Sequence, residues 1–61
     1  MDLRERRREA TRVEITDAAL TLVERHGFSA TTVDDIAREA GVSPSTFFRH
    51  YATKEESVLH G

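Results

Sequence analysis

The chain has 61 residues, no cysteine, three histidines without metal-ligand spacing, and a formal net charge of −2. That length allows one small domain, which buries only about 60% of its unfolded surface. The missing thiols exclude a disulfide framework and a thiolate zinc site. No apolar run approaches the ~20 residues of a membrane span, and the N-terminus lacks the apolar centre of a signal peptide, so the chain reads as soluble, unexported and free of cofactor or metal.

Charge is unevenly placed. Residues 1–12 hold Arg4, Arg6, Arg7, Arg8 and Arg12 against Asp2, Glu5 and Glu9, a local balance of +2, while residues 13–61 carry four basic and eight acidic groups. The whole-chain charge argues against a general nucleic-acid binder; the N-terminal concentration argues the other way. Two readings of this segment stand side by side. It is either an arm whose Arg6, Arg7, Arg8 and Arg12 follow a phosphate backbone or enter a minor groove, or a solvated helix start laced by Arg and Glu at helical spacing.

Every later segment reads as helix. Ile15, Ala18, Ala19, Leu22, Val23 and His26 recur at steps of three and four, predicting one apolar stripe on a helix that starts between Leu3 and Thr11 and ends at Gly27. Val13 and Leu20 fall off that stripe. Phe28 is expected to tuck beneath the first helix. Thr32 then caps a second helix, with Asp35 as the reciprocal carboxylate, and Val33, Ile36, Ala37 and Ala40 turn inward over residues 33–40. Gly41 permits the positive φ that lets this helix stop, and Val42 is expected to plug the core between the helices. Ser43 caps a third helix, residues 44–50, with Pro44 as its first residue and Phe47 and Tyr51 on its inner face. Thr53 with Glu56 repeats the capping box for a short helix over residues 54–60 that carries Val58 and Leu59 and stops at Gly61. So short a helix needs packing to be stable, and the chain looks like the front end of something longer.

Two helix starts separated by one helix-stop glycine are the punctuation of a helix-turn-helix. The run GFSATTVDDIAREAGVSPSTFFRHYATKE resembles the DNA-binding region of TetR-type transcriptional regulators, and with the preceding helix the likeness covers roughly residues 10–59. It is carried by Gly27 and Phe28; by Thr31, Thr32, Val33, Ile36 and Ala37; by Ala40, Gly41, Val42 and Ser43; and by Phe47, Phe48, Tyr51, Lys54 and Glu55. The resemblance implies an all-α, homeodomain-like three-helix bundle with the start of a fourth helix. Residues 1–12 would be its basic arm or helix start and residues 10–61 the DNA-binding domain. In the complete regulator a larger helical domain, absent here, would bind a small effector and dimerise. Where the family usually has a tyrosine reaching a phosphate this chain has Phe48, and where many members have glycine it has Ser45.

Direction on the third helix assigns candidate roles. Pro44, Ser45, Phe48 and Arg49 are expected to reach base edges in the major groove, Arg49 gripping guanine and Phe48 lying against a thymine methyl. Thr32, Val33, Thr46, His50 and Lys54 are the candidate phosphate contacts. Competing readings are a solvated or phosphate-bound Arg49, a core-packed Phe48, a Thr32 that only caps, and an exposed Lys54 without a role. A lysine at a helix start is electrostatically misplaced, and a phosphate would explain it.

The expected function is sequence-specific binding of double-stranded, palindromic operator DNA, as a homodimer in the complete regulator and a monomer for this chain alone. The expected location is a bacterial-type cytoplasm, with no membrane partner and a small-molecule effector only through the missing domain. Catalysis is not expected: Ser43 is committed as a cap, and no buried acid orients His50. The rival is a small helical protein-interaction module or a non-binding fragment.

Overall fold

A computed structural model describes residues 2–59, and among them there are four helices and no strand: α1 Leu3–His26, α2 Val33–Ala40, α3 Pro44–His50 and α4 Lys54–Leu59. The expected stop of the last helix at Gly61 lies outside the described residues. α1 packs on α2 and α4, and α2 packs on α3.

The first helix begins at the early edge of its expected range. Asp2 caps it by accepting from the Arg4 N–H at 3.3 Å, and Arg25 and His26 lie in the last turn, where positive charge suits the helix dipole. From Leu3 to Ala10 no residue is buried. Over those turns α1 is held by its own backbone bonds and by local contacts such as Arg12 to Glu9 at 3.7 Å. Packing begins at Ile15 and continues through Thr16, Ala18, Ala19 and Leu22. Val23 is half-buried and His26 is exposed, so the stripe is one turn shorter than periodicity predicts. The His26 ring stays in water at the end of the helix.

Phe28 does not tuck beneath α1. It is 38% exposed, and the Lys54 ammonium lies 4.4 Å from its ring centroid. Thr31 takes the buried position in this turn instead, its hydroxyl donating to the Gly27 carbonyl at 2.9 Å.

At α2 the capping box forms in both directions: the Asp35 N–H donates to the Thr32 hydroxyl at 3.1 Å, and the Thr32 N–H donates to the Asp35 carboxylate at 3.4 Å. The helix ends in a Schellman turn. Val42 N–H reaches the Ala37 carbonyl at 2.9 Å, Gly41 N–H reaches that of Arg38 at 3.2 Å, and Gly41 has φ 77°. A Cβ at Gly41 would meet nothing within 4 Å. Gly41→Ala is therefore expected to cost about 1–2 kcal/mol from left-handed backbone strain alone, with Gly41→Asn costing less. Urea midpoints check this, and an unchanged midpoint for the alanine variant would contradict the strained turn.

α3 starts on Ser43, whose hydroxyl accepts from the Thr46 N–H at 3.2 Å. Phe47 is fully buried within the cluster of Ile15, Ala18, Ala19, Leu22, Ile36 and Tyr51, against which Val33, Ala40, Val42 and Val58 pack. Tyr51 carries its hydroxyl across the core to Thr16, oxygen to oxygen 2.9 Å, which satisfies two buried polar groups at once. The α4 cap is only partly as expected. The Glu56 N–H donates to the Thr53 hydroxyl at 3.2 Å, but the Glu56 carboxylate accepts from Ala52 N–H at 3.0 Å rather than from Thr53. Val58 is half-buried, and Leu59 is 81% exposed.

Candidate nucleic-acid interface

The inner face of α3 is spent on Phe47, so its remaining side chains face outward. Pro44, Ser45, Phe48 and Arg49 are exposed, while Thr46 and His50 are half-buried. Phe48 is 54% exposed and meets the Phe47 ring edge-on at 5.3 Å, so it is not a core residue. The groups expected to read bases therefore share one accessible surface.

The basic N-terminal segment is a helix from Leu3 onward, and it runs past the C-terminal half of α3. Between them lies an open cleft of about 530 Å³ lined by Arg7, Arg8 and Thr11 on one wall and Thr46, Arg49 and His50 on the other. A neighbouring hollow adds Arg12, Glu5 and Glu9 beside Arg8, Arg49 and His50. Arg6 is exposed and lines neither. Burial pushes the His50 imidazole below its usual value of 6.5, and Arg8, Arg12 and Arg49 push it the same way. A separate hollow between α1 and α2 is lined by three acidic groups, Glu14, Asp17 and Glu39. A chain of net charge −2 thus carries a distinctly cationic cleft.

A second cluster surrounds the start of α2. The Lys54 ammonium donates to the carbonyls of Phe28 at 3.0 Å and Thr31 at 2.8 Å, fastening α4 to the turn that leads into Thr32 and Val33. The two carbonyls supply the partner that a cation at a helix start otherwise lacks. A lysine has three N–H donors, so one remains for another acceptor. The Thr32 hydroxyl and N–H are both engaged in the capping box, whereas the first-turn N–H of Val33 has no intrahelical acceptor. Asp34 and Asp35 stabilise this helix end, and they oppose an approaching phosphate.

Residues 15–59 match the sequence profile of bacterial regulatory proteins of the tetR family. The chain belongs to the TetR family. It is 51% identical over 49 residues to MftR of Mycobacterium tuberculosis, named as a transcriptional regulator of mycofactocin biosynthesis, covering 80% of this chain and 25% of MftR. It is 46% identical over 57 residues to the HTH-type transcriptional regulator TcmR of Streptomyces glaucescens, covering 93% of this chain and 25% of TcmR. The chain therefore spans about a quarter of the length of these relatives. TetR-family regulators bind DNA, and the four helices are those of the family's helix-turn-helix region.

Two features of this TetR-family domain escaped sequence reasoning. Thr11 lies in the cleft with Arg7 and Arg8, and its spacing of four and three residues from them was a usable sign that all three share a helix face. The Lys54 fastening joins residues 26 and 23 positions apart, and no local pattern announces it.

Proposed function

We propose that this domain is the sequence-specific, double-stranded DNA-binding head of a transcriptional regulator and docks α3 in the major groove. Pro44, Ser45, Phe48 and Arg49 reach base edges. Thr32, Val33, Thr46, His50 and Lys54 hold phosphates, and Arg7, Arg8 and Arg12, with Arg6 further out, engage the flanking backbone. In the complete regulator two copies bind a palindromic operator, with half-sites about one turn, ~34 Å, or a larger dimer-set spacing apart. The regulator acts in the cytoplasm as a repressor, released when a small effector binds the part of the protein beyond this domain.

The observation that carries this reading is the outward face of α3 lying beside a cleft whose two walls both present arginine. Acidic groups would line such a surface if it received a basic peptide, and apolar ones if it received a partner helix. Titration of random-sequence duplex DNA at two salt concentrations tests it. Each phosphate neutralised contributes about −0.9 to the slope of log K against log salt, so a slope of about −3 to −5 is expected for one domain. A helical protein-interaction module would give weak affinity with no such slope.

A further inference from the structure

His50 borders three adjacent concavities and belongs to the geometry of each. On the α1 side it faces Arg7, Arg8 and Arg12, with Glu5 and Glu9 at the rim. On its own helix the charged neighbour is Arg49. Towards α4, Tyr51 and Glu56 complete the surroundings. The nearby carboxylates are partly committed, Glu9 to Arg12 at 3.7 Å and Glu56 to the Ala52 N–H at 3.0 Å. The half-buried imidazole therefore sits among guanidinium groups, with a cleft open to solvent in front of it.

Burial, and the guanidinium groups of Arg8, Arg12 and Arg49, disfavour the charged form of this imidazole in the free domain. A phosphate entering the cleft would screen the arginines from the imidazole and offer an acceptor to a second ring N–H, which only the protonated ring possesses. We propose that the cleft between α1 and α3 is a phosphate seat completed by proton uptake at His50, so that the domain grips a nucleic-acid backbone more tightly as pH falls. This inference rests on the DNA-binding reading above and adds a linked proton to it.

The sign differs between the free and the bound protein. In the free domain the imidazole is held below its usual 6.5, so its contribution to folding is complete above that value and is lost as pH falls. Binding runs in the opposite direction, because the complex holds the extra proton. A merely structural histidine would weaken the domain at low pH and weaken binding with it.

The test uses the 61-residue chain and a fluorescent random-sequence duplex at constant ionic strength, at about pH 8 and about pH 6, on either side of the ordinary histidine value. Affinity is expected to rise about five- to tenfold towards the lower pH, bounded at tenfold per pH unit by a single proton. The salt slope is expected to steepen by about 0.9, because the protonated ring neutralises one more phosphate. His50→Gln should flatten both responses with helicity retained, while His26→Gln, at the far end of α1, should leave them intact. His50 should also titrate at higher pH in the complex than in the free domain when its ring proton is followed by NMR. Binding that is tight but equal at both pH values, or a pH response surviving in His50→Gln, overturns the proton linkage alone. Absence of salt-dependent binding at either pH overturns the DNA-binding reading and the linkage together.

Discussion

Phe47→Ala is expected to remove much of the domain's stability, and Phe48→Ala, one residue along, to leave it nearly intact. Phe47 has no exposed surface and stands between the Tyr51 ring, at 6.1 Å, and the Phe48 ring, at 5.3 Å, in the cluster that joins α1, α2 and α3. Truncating a buried phenylalanine costs about 3–5 kcal/mol, because the lost contacts are not recovered by collapse around the cavity. At about 0.05–0.15 kcal/mol per residue, a 61-residue chain has about 3–9 kcal/mol in total. The substitution therefore removes at least about a third of that stability and up to all of it. Phe48, with half its surface in water, forfeits only an edge-on ring contact worth about 0.5–1.5 kcal/mol. Helical ellipticity and the urea midpoint separate the two variants. If both retained the same midpoint, Phe47 would not be the centre of the core, and the outward direction of its neighbours on α3 would lose its basis. Phe48→Ala should nevertheless lose affinity for DNA, since on the proposed reading its ring meets a thymine methyl.

The elements that sequence reasoning recovered are those specified within four or five residues. Thr32 with Asp35, Gly41 before Val42, and Ser43 before Pro44 each satisfy backbone groups next to them, so the pattern and the geometry are nearly the same information. Where the outcome depends on a distant partner, local pattern failed. Phe28 looked like a core residue by composition, but Thr31 fills the buried position and Lys54, from 26 residues away, covers the ring. Thr16 lay off the expected stripe. It is buried because Tyr51, 35 residues on, brings it a hydroxyl.

The candidate site follows the same division. The outward set on α3 could be read from Phe47 and Tyr51 facing in, since a seven-residue helix leaves little choice for the rest. The role of residues 1–12 could not, because alternating Arg and Glu suit an arm and a helix start equally well. In the structure the segment is helical, as the helix-start reading has it, and its helical spacing aligns Arg7, Arg8 and Thr11 against Arg49 and His50. The arginine pattern that suits a solvated helix also makes one wall of the cleft.

Arg49→Ala and Lys54→Ala are expected to weaken DNA binding in different ways. Arg49 is exposed near the end of α3, and a bidentate grip on guanine is worth about 1–3 kcal/mol of discrimination at one base pair. Its loss should relax preference at that position and leave the urea midpoint where it was. Lys54 contacts phosphate on the proposed reading, so its removal should weaken cognate and scrambled duplexes alike and lower the salt slope by about one unit. The fastening of Lys54 to the Phe28 and Thr31 carbonyls adds a second consequence that a solvated lysine would not have. Lys54→Ala should also cost stability on the order of 1 kcal/mol for the lost hydrogen bonds, read as a lower urea midpoint. The measurement needs a cognate site, obtainable by selecting bound duplexes from a random library with the domain joined to a dimeriser. Equal losses from both substitutions on cognate and scrambled DNA would abolish the division between reading and holding. An unchanged midpoint in Lys54→Ala would show that the ammonium is free for phosphate and does not hold the turn before α2.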